Sequence, residues 1–505
     1  MTIGLFIVAL AVRLYKIGVL TPGMWGDEIS FARIAEKLLT TSHYLPYVTD
    51  NYGHPTGLFY LMGLAISFFG RSMLSIRLVS LVFGALDVCM FFVFIRLFFK
   101  KWPAFLCSLF MVFSYPHLVV SRFGYEVTAA MFFQLSSFFF LVKILRKDSY
   151  KDYIGLGLSL GLGLNTYLSF RTMAVFYFVA LFTVVGINKN IKEKSKKILI
   201  TTFFILLSVF PLISYGVNHW DNLWSRTKSV SVFNQGLPKH EIVNEIKGNI
   251  LREINIFVGN GDPNPRHNPS SRPFFDPLTT ILSFGGLYLL FKKDRQLFWI
   301  SLFLLVPSFV NDIFTVEIFP EFHYYGTGHP HTLRLAGVIP IVYFWSAFAM
   351  EGLWNTFVSK KRMTTLVYFL LVGAIIWTNW SWYFYQPDNF FIYESNGVRM
   401  VNLVNFMNKL PGRKISVSSS MLKDERVDYF LNKNVKPEIF KPKSTDFSLE
   451  DIRKDTITII DPKANLKYAQ SLYDNKEKLP KETNLQFMVN PWKGIDAMIL
   501  LPFAR

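Results

Sequence analysis

Two adjacent carboxylates, Asp27 and Glu28, stand in Trp25-Gly26-Asp27-Glu28, directly after a Pro22-Gly23 turn and ahead of the amphipathic stretch Ile29–Leu39. One reading makes Asp27 the N-cap of a helix that begins at Glu28, since acids suit the positive end of the helix dipole. The other makes it a general base at a membrane surface, where partial burial and a nearby cation hold a carboxylate ionised and oriented. A further acid, Glu126, closes the segment Ser121-Arg122-Phe123-Gly124-Tyr125-Glu126. Arg122 and Glu126 are four residues apart, so they form either an ordinary helical pair or part of a boundary site that grips a polar substrate.

The densest group of polar side chains lies in Gly261-Asp262-Pro263-Asn264-Pro265-Arg266-His267-Asn268, which runs on to Arg272-Pro273-Phe274-Phe275-Asp276. Its prolines stiffen the backbone, so Asp262, Arg266, His267 and Arg272 can be held without a helix. Such a loop is either solvated turn structure or a surface for a sugar or phosphate. Two more arginines, Arg171 and Arg334, sit at the ends of apolar runs. They either snorkel or neutralise a phosphate through paired hydrogen bonds. Histidines at 267, 323, 329 and 331 raise the question of a metal, yet only His329-Pro330-His331 is spaced like a ligand pair. No metal site is assigned, and a divalent cation is left open.

These residues need a scaffold, and composition says what kind. Of 505 residues 51% are hydrophobic and only 17% charged, against about 25% in a typical soluble protein. A single soluble globule is excluded. Eleven apolar runs are long enough to be read as spans: 2–20, 74–97, 103–120, 127–146, 153–170, 173–187, 198–217, 277–291, 296–314, 333–354 and 363–384. Lys and Arg cluster in every second loop, at 96–101, 143–151, 189–197, 292–295 and 360–362. The net charge of +18 therefore reads as positive-inside topology and not as a nucleic-acid surface. Cys89 and Cys107 lie inside apolar runs and read as core residues. The apolar run 55–69 is short for a crossing and leaves the side of the first loop undecided.

Two stretches, 218–276 and 385–505, are too long and polar for tight connections. The charge assignment puts both outside. The second reads as a small α/β domain, with helices at Val398–Leu410 and Ala464–Tyr473 and strands at Lys414–Ser418, Thr456–Ile460 and Ala497–Leu501. The expected fold is thus a polytopic α-helical membrane domain, residues 1–384 with outer loops 21–73 and 218–276, followed by an extracytoplasmic α/β domain at 385–505. A secondary transporter or flippase would use the same acids and arginines along a path, but it calls for ionisable groups near helix centres.

The segments PGMWGDE, HPTGLFYLM, RLVSLVFGALDVCMFFVFIRLFF, SRFGYE, GLGLNTYLSFR, GDPNPRHN with SRPFFDPL, and HTLRLAGVIP follow one another between about residues 12 and 345. In this order they resemble the polyprenyl-phosphate-dependent glycosyltransferases of the C superfamily, near the protein O-mannosyltransferases and the aminoarabinose transferases of lipid A. The resemblance implies that the loop holding Asp27 is extracytoplasmic, that 55–69 lies along the membrane surface, and that the N-terminus is cytoplasmic. It implies Asp27 as catalytic carboxylate, with Glu28 and Glu126 beside it in the site. The residues read as able to hold a polyprenyl-phosphate sugar are His54, Arg122, Arg171, Asp262, Arg266, His267, Arg272, His331 and Arg334. The acceptor is a hydroxyl of a protein, lipid or glycan at the cell membrane, and no nucleic acid is involved. Where the related enzymes often have Lys-Pro-Pro, this chain has His54-Pro55-Thr56, so a lysine that would help to hold donor phosphate is missing.

Overall fold

Apolar side chains recurring with helical period dictate helices through the first three quarters of the chain, and the eleven runs are helical, two of them (103–120 and 333–354) as pairs of helices. The computed structural model describes all residues except 21, 187–190, 265, 269–271, 317–328, 359–361, 386–389, 452, 454, 481–482, 492–493 and 503–505. It divides into two units: residues 1–20, 30–68 and 74–387 form the first, and 21–29, 69–73 and 388–505 the second.

In chain order the first part comprises α1 (Thr2–Leu14), α2 (Gly26–Thr40), β1 (Tyr47–Val48), β2 (His54–Pro55), α3 (Gly57–Phe69), α4 (Met73–Ile95), α5 (Lys101–Phe113), α6 (Tyr115–Ser121), α7 (Val127–Lys147), α8 (Tyr150–Gly163) and α9 (Phe170–Gly186). There follow α10 (Ile191–Asn218), α11 (Trp220–Val230), α12 (Lys239–Ile254), α13 (Pro277–Lys293), α14 (Arg295–Ile313), α15 (Thr332–Leu335), α16 (Val338–Leu353) and α17 (Arg362–Phe384).

Among the described residues, 5 helices are long and apolar enough to cross a membrane, or up to 6 when α5 and α6 count as one span bent by 58°. The bend has a local cause. Ser114 leaves helical geometry and its Oγ accepts the His117 N–H, while Pro116 has no N–H to continue the ladder. The other runs form shorter helices, such as the 13-residue α1 and the 14-residue α8. At 1.5 Å per residue each is roughly 20 Å long, short of ~30 Å of hydrocarbon. The expected eleven crossings are therefore eleven helical runs, of which helix length supports about half as full spans.

Small residues let the helices approach closely, as expected where lipid supplies no hydrophobic drive between them. A Cβ on Gly286 of α13 would lie 1.8 Å from the Trp345 carbonyl of α16. One on Gly161 of α8 would meet Ser208 of α10 at 2.5 Å. Substituting either forces its helix pair apart.

The second unit continues with α18 (Phe390–Ser395), α19 (Val398–Asn408), β3 (Lys414–Ser418), α20 (Ser419–Leu422), α21 (Glu425–Phe430), β4 (Glu438–Phe440), β5 (Thr456–Ile460), α22 (Leu466–Asp474), β6 (Thr483–Val489) and β7 (Ile495–Pro502). Its strands form one sheet in the order β4-β3-β5-β7-β6. β3 runs parallel to β4 and β5, while β7 is antiparallel to β5 and β6. Leu403, Met407 and Val417 pack on one cluster, Ile460, Tyr468 and Leu472 on a second. This is the expected α/β domain with two more strands, β4 and β6.

Candidate functional site

The turn that carries Asp27 belongs to the second unit and is tied down there by residues from the far end of the chain. The Met24 N–H donates to the Asn396 carbonyl at 2.8 Å, and Asn396 Nδ2 donates to the Pro22 carbonyl at 2.9 Å. Arg426 Nε donates to the Met24 carbonyl at 2.7 Å and its Nη2 to the Ser395 carbonyl at 3.0 Å. The helix then starts at Gly26, two residues earlier than a cap at Asp27 requires. Glu28, fully buried, reaches back to the Trp25 N–H at 3.2 Å and closes the helix start. Asp27 is left half-buried, with its Oδ2 accepting the Trp25 indole N–H at 3.1 Å. The two acids thus have different tasks. Glu28 is a helix-start residue, and Asp27 presents a carboxylate that the helix does not need as its cap.

In the first unit, a short hairpin presents His54. β1 and β2 pair Val48 with His54, and the chain between them turns through positive φ at Asn51, Tyr52 and Gly53. Gly53 is required there, since a Cβ would lie 2.4 Å from the Tyr47 hydroxyl. His54 Nε2 lies 2.9 Å from the Asn51 carbonyl, which can only accept, so that nitrogen carries a hydrogen. Nδ1 lies 3.0 Å from Glu126 Oε1. His54 thus stands against the Glu126 carboxylate at the start of α7.

The proline-rich loop forms a second network in the same unit. Asp262 Oδ2 lies 2.7 Å from His267 Nδ1 and accepts the Thr332 N–H at 2.7 Å. Arg266 Nε donates to His267 Nε2 at 3.0 Å, which fixes His267 as the neutral tautomer with its hydrogen on Nδ1. The His331 ring stands 5.1 Å from that of His267. Burial first, then the neighbouring Arg334 and His267, hold His331 well below the usual histidine value, so it is neutral as well. The Arg266 guanidinium lies 5.8 Å from the ring of Tyr125, next in sequence to Glu126. A small cavity lies among Tyr115, Asp262, His267, Asn268 and Thr332.

The expected arginines divide sharply. Arg122, fully buried, donates to the carbonyls of Val12, Arg13 and Tyr15 and to the Tyr383 hydroxyl, closing the C-terminal end of α1. It is not paired with Glu126 in the manner of an i,i+4 bridge. Arg171 donates to the Leu223 carbonyl at 2.6 Å and lies over Trp224, which ties α9 to α11. Arg334 pairs with Asp312 at 3.3 Å and donates to the Thr315 hydroxyl at 2.8 Å. Arg272 lies over the Trp382 ring at 5.3 Å, and its buried Nη1 has no hydrogen-bond partner among the described residues.

Several ionisable residues escaped the sequence reading. Arg13, His117 and Asp87 form a buried chain, with Arg13 Nη2 2.6 Å from His117 Nδ1 and His117 Nε2 3.0 Å from Asp87 Oδ2. Because arginine only donates, His117 accepts at Nδ1 and donates to Asp87. A lone acid inside the apolar run 74–97 was the available signal. Asp312 inside the run 296–314 was another. It stands with Glu253 and His329 in a third buried group, in which burial and then Asp312 push the Glu253 carboxyl far above its ordinary range. His323 lies outside the described residues.

Residues 53–215, which include His54, Arg122, Glu126 and Arg171, match the sequence model of the family described as dolichyl-phosphate-mannose-protein mannosyltransferase. No curated protein sequence matches the chain. The fold is similar to crystal structures of ArnT from Cupriavidus metallidurans. The apo form is 11% identical, with a TM-score of 0.53 over 99% of this chain and 97% of that one. The form bound to undecaprenyl phosphate is 10% identical, with the same TM-score and coverage.

Proposed function

We propose that this membrane glycosyltransferase, which draws on a polyprenyl-phosphate-linked sugar, transfers that sugar with inversion to an acceptor hydroxyl at the extracytoplasmic face. The observation that carries the reading is the family match over 53–215, because it spans the His54–Glu126 pair within a fold like that of a structure that binds undecaprenyl phosphate. Asp27 takes the proton from the acceptor hydroxyl as its oxygen attacks the anomeric carbon. The bond from that carbon to the phosphate breaks on the opposite side, and the electron pair leaves with the lipid phosphate. Arginines stabilise that developing charge. A sugar already activated by its lipid phosphate needs no nucleotide at this step.

Purified protein given a polyprenyl-phosphate sugar and a hydroxyl acceptor should release polyprenyl phosphate in step with product of inverted anomeric configuration. Movement of intact donor across vesicles without cleavage would instead establish the transport reading.

The orientation has its own test. Cysteines placed in 218–276 and 420–500 should react with an impermeant maleimide from outside intact cells, and those placed in 188–197 should not. Native Cys89 and Cys107 are buried and leave the background low. Outside labelling of 188–197 overturns the assignment of the basic loops to the cytoplasm.

A further inference from the structure

We propose that Glu253, Asp312 and His329 form a binding site for one divalent cation of the zinc or manganese class, an inference that does not depend on the glycosyl-transfer reading. One ligand atom from each residue lies within 4.8 Å of the others. The three come from separate segments: α12 in the outer loop, the last turn of α14, and the stretch just before α15. Their relative exposures are 2%, 0% and 9%, so water does not satisfy them.

The second observation is the state of Glu253. Among the described residues both its Oε1 and Oε2 are buried without a hydrogen-bond partner, and His329 Nδ1, 3.0 Å from Asp312 Oδ1, also lacks one of good geometry. Buried carboxylates normally collect several donors. Here the Glu253 oxygens collect none among the described residues while Asp312 is held by Arg334, and a divalent cation between them supplies the missing partner.

The surroundings are those of a prepared site. Asp312 Oδ2 accepts the His331 N–H at 2.8 Å, and Arg334 holds Oδ1, so the carboxylate cannot rotate freely. Asn249, one turn before Glu253 on α12, donates to the Ile313 and Thr315 carbonyls at 3.0 and 3.2 Å and fixes the helix against the end of α14. Two carboxylate oxygens and one imidazole nitrogen suit zinc or manganese, whereas magnesium and calcium favour all-oxygen shells. The neighbouring trio Asp262, His267 and His331 is equally close-set. It differs in that both His267 nitrogens are already committed, one to Asp262 and one to Arg266.

Full-length protein freed of its affinity tag, washed with chelator and then equilibrated with Zn²⁺ or Mn²⁺, should retain one equivalent by elemental analysis and melt at a higher temperature than the washed protein. Mg²⁺ should give neither effect. Glu253→Gln keeps the volume and removes the carboxylate ligand, so the washed variant should melt at or near washed wild type while retaining no metal. His329→Gln should likewise lose the metal and the gain in melting temperature, whereas His240→Asn, an exposed residue on the same helix, should keep both. Three results overturn the site: no stoichiometric binding by wild type, full retention by Glu253→Gln, or loss in His267→Asn with retention in Glu253→Gln. The last would move the cation to the neighbouring trio.

Discussion

Asp27→Asn is expected to lower transfer from a polyprenyl-phosphate sugar by roughly 10²–10⁴-fold, the usual contribution of a positioned general base, while leaving expression and melting temperature near wild type. The separation of effects follows from the helix start. Glu28 makes the backbone contact that closes the first turn of α2. Asparagine at 27 still offers an oxygen to the Trp25 indole N–H, but it cannot take a proton. Glu28→Ala should do the reverse. It removes a helix-start hydrogen bond worth about 0.5–2 kcal/mol, so the melting temperature falls while Asp27 remains available as a base. Steady-state transfer and thermal melting measured on both variants decide the assignment. Near-normal turnover in Asp27→Asn together with collapse in Glu28→Gln, which keeps the shape but not the charge, would hand the role of base to Glu28.

The same turn shows which parts of the molecule can be read from residues alone. Asp27 and Glu28 were visible as a pair because carboxylates are rare beside apolar runs. Which of them serves the helix depends on a start at Gly26, and helix boundaries shift by a residue or two for reasons that spacing does not encode. Met24, Asn396 and Arg426 meet across some 400 positions of sequence, beyond any local pattern. In the C-terminal domain β3 and β5 were legible because Lys-Ile-Ser-Val-Ser and Thr-Ile-Thr-Ile-Ile are short β-branched runs bounded by breaks. β4 has only 3 residues, and β6 alternates burial in a sequence with Asn and Gln at its polar positions. Pairing with neighbours makes them strands, and that pairing is non-local. Asp312 and Glu253 stayed hidden for a similar reason. Each looks solitary in sequence, and only the meeting of α12 with the end of α14 shows two carboxylates together.

Arginine sharpens the point, because its type announces an anion grip while its position decides whether the grip is already engaged. Arg171 and Arg334, read from sequence as the holders of donor phosphate, are anchored to Leu223 and to Asp312 with Thr315. Arg272 is the better candidate: its guanidinium is stacked on Trp382, and its Nη1 is buried without a hydrogen-bond partner among the described residues. A phosphate oxygen there would complete it. Hydrogen bonds to charged groups contribute about 1.5–3 kcal/mol, so Arg272→Ala should weaken donor binding by roughly 10–150-fold. Lysine should restore little, since it lacks both the planar fork and the stacking face. Arg334→Lys and Arg171→Lys should instead lower the melting temperature, with donor affinity changed less than threefold or so, because what they lose is a contact within the protein. Binding of a polyprenyl phosphate to the purified variants, measured alongside melting, separates these outcomes. If Arg272→Ala binds donor as wild type does while Arg334→Lys or Arg171→Lys does not, the phosphate is held by arginines that must let go of Asp312 or Leu223 when the donor arrives.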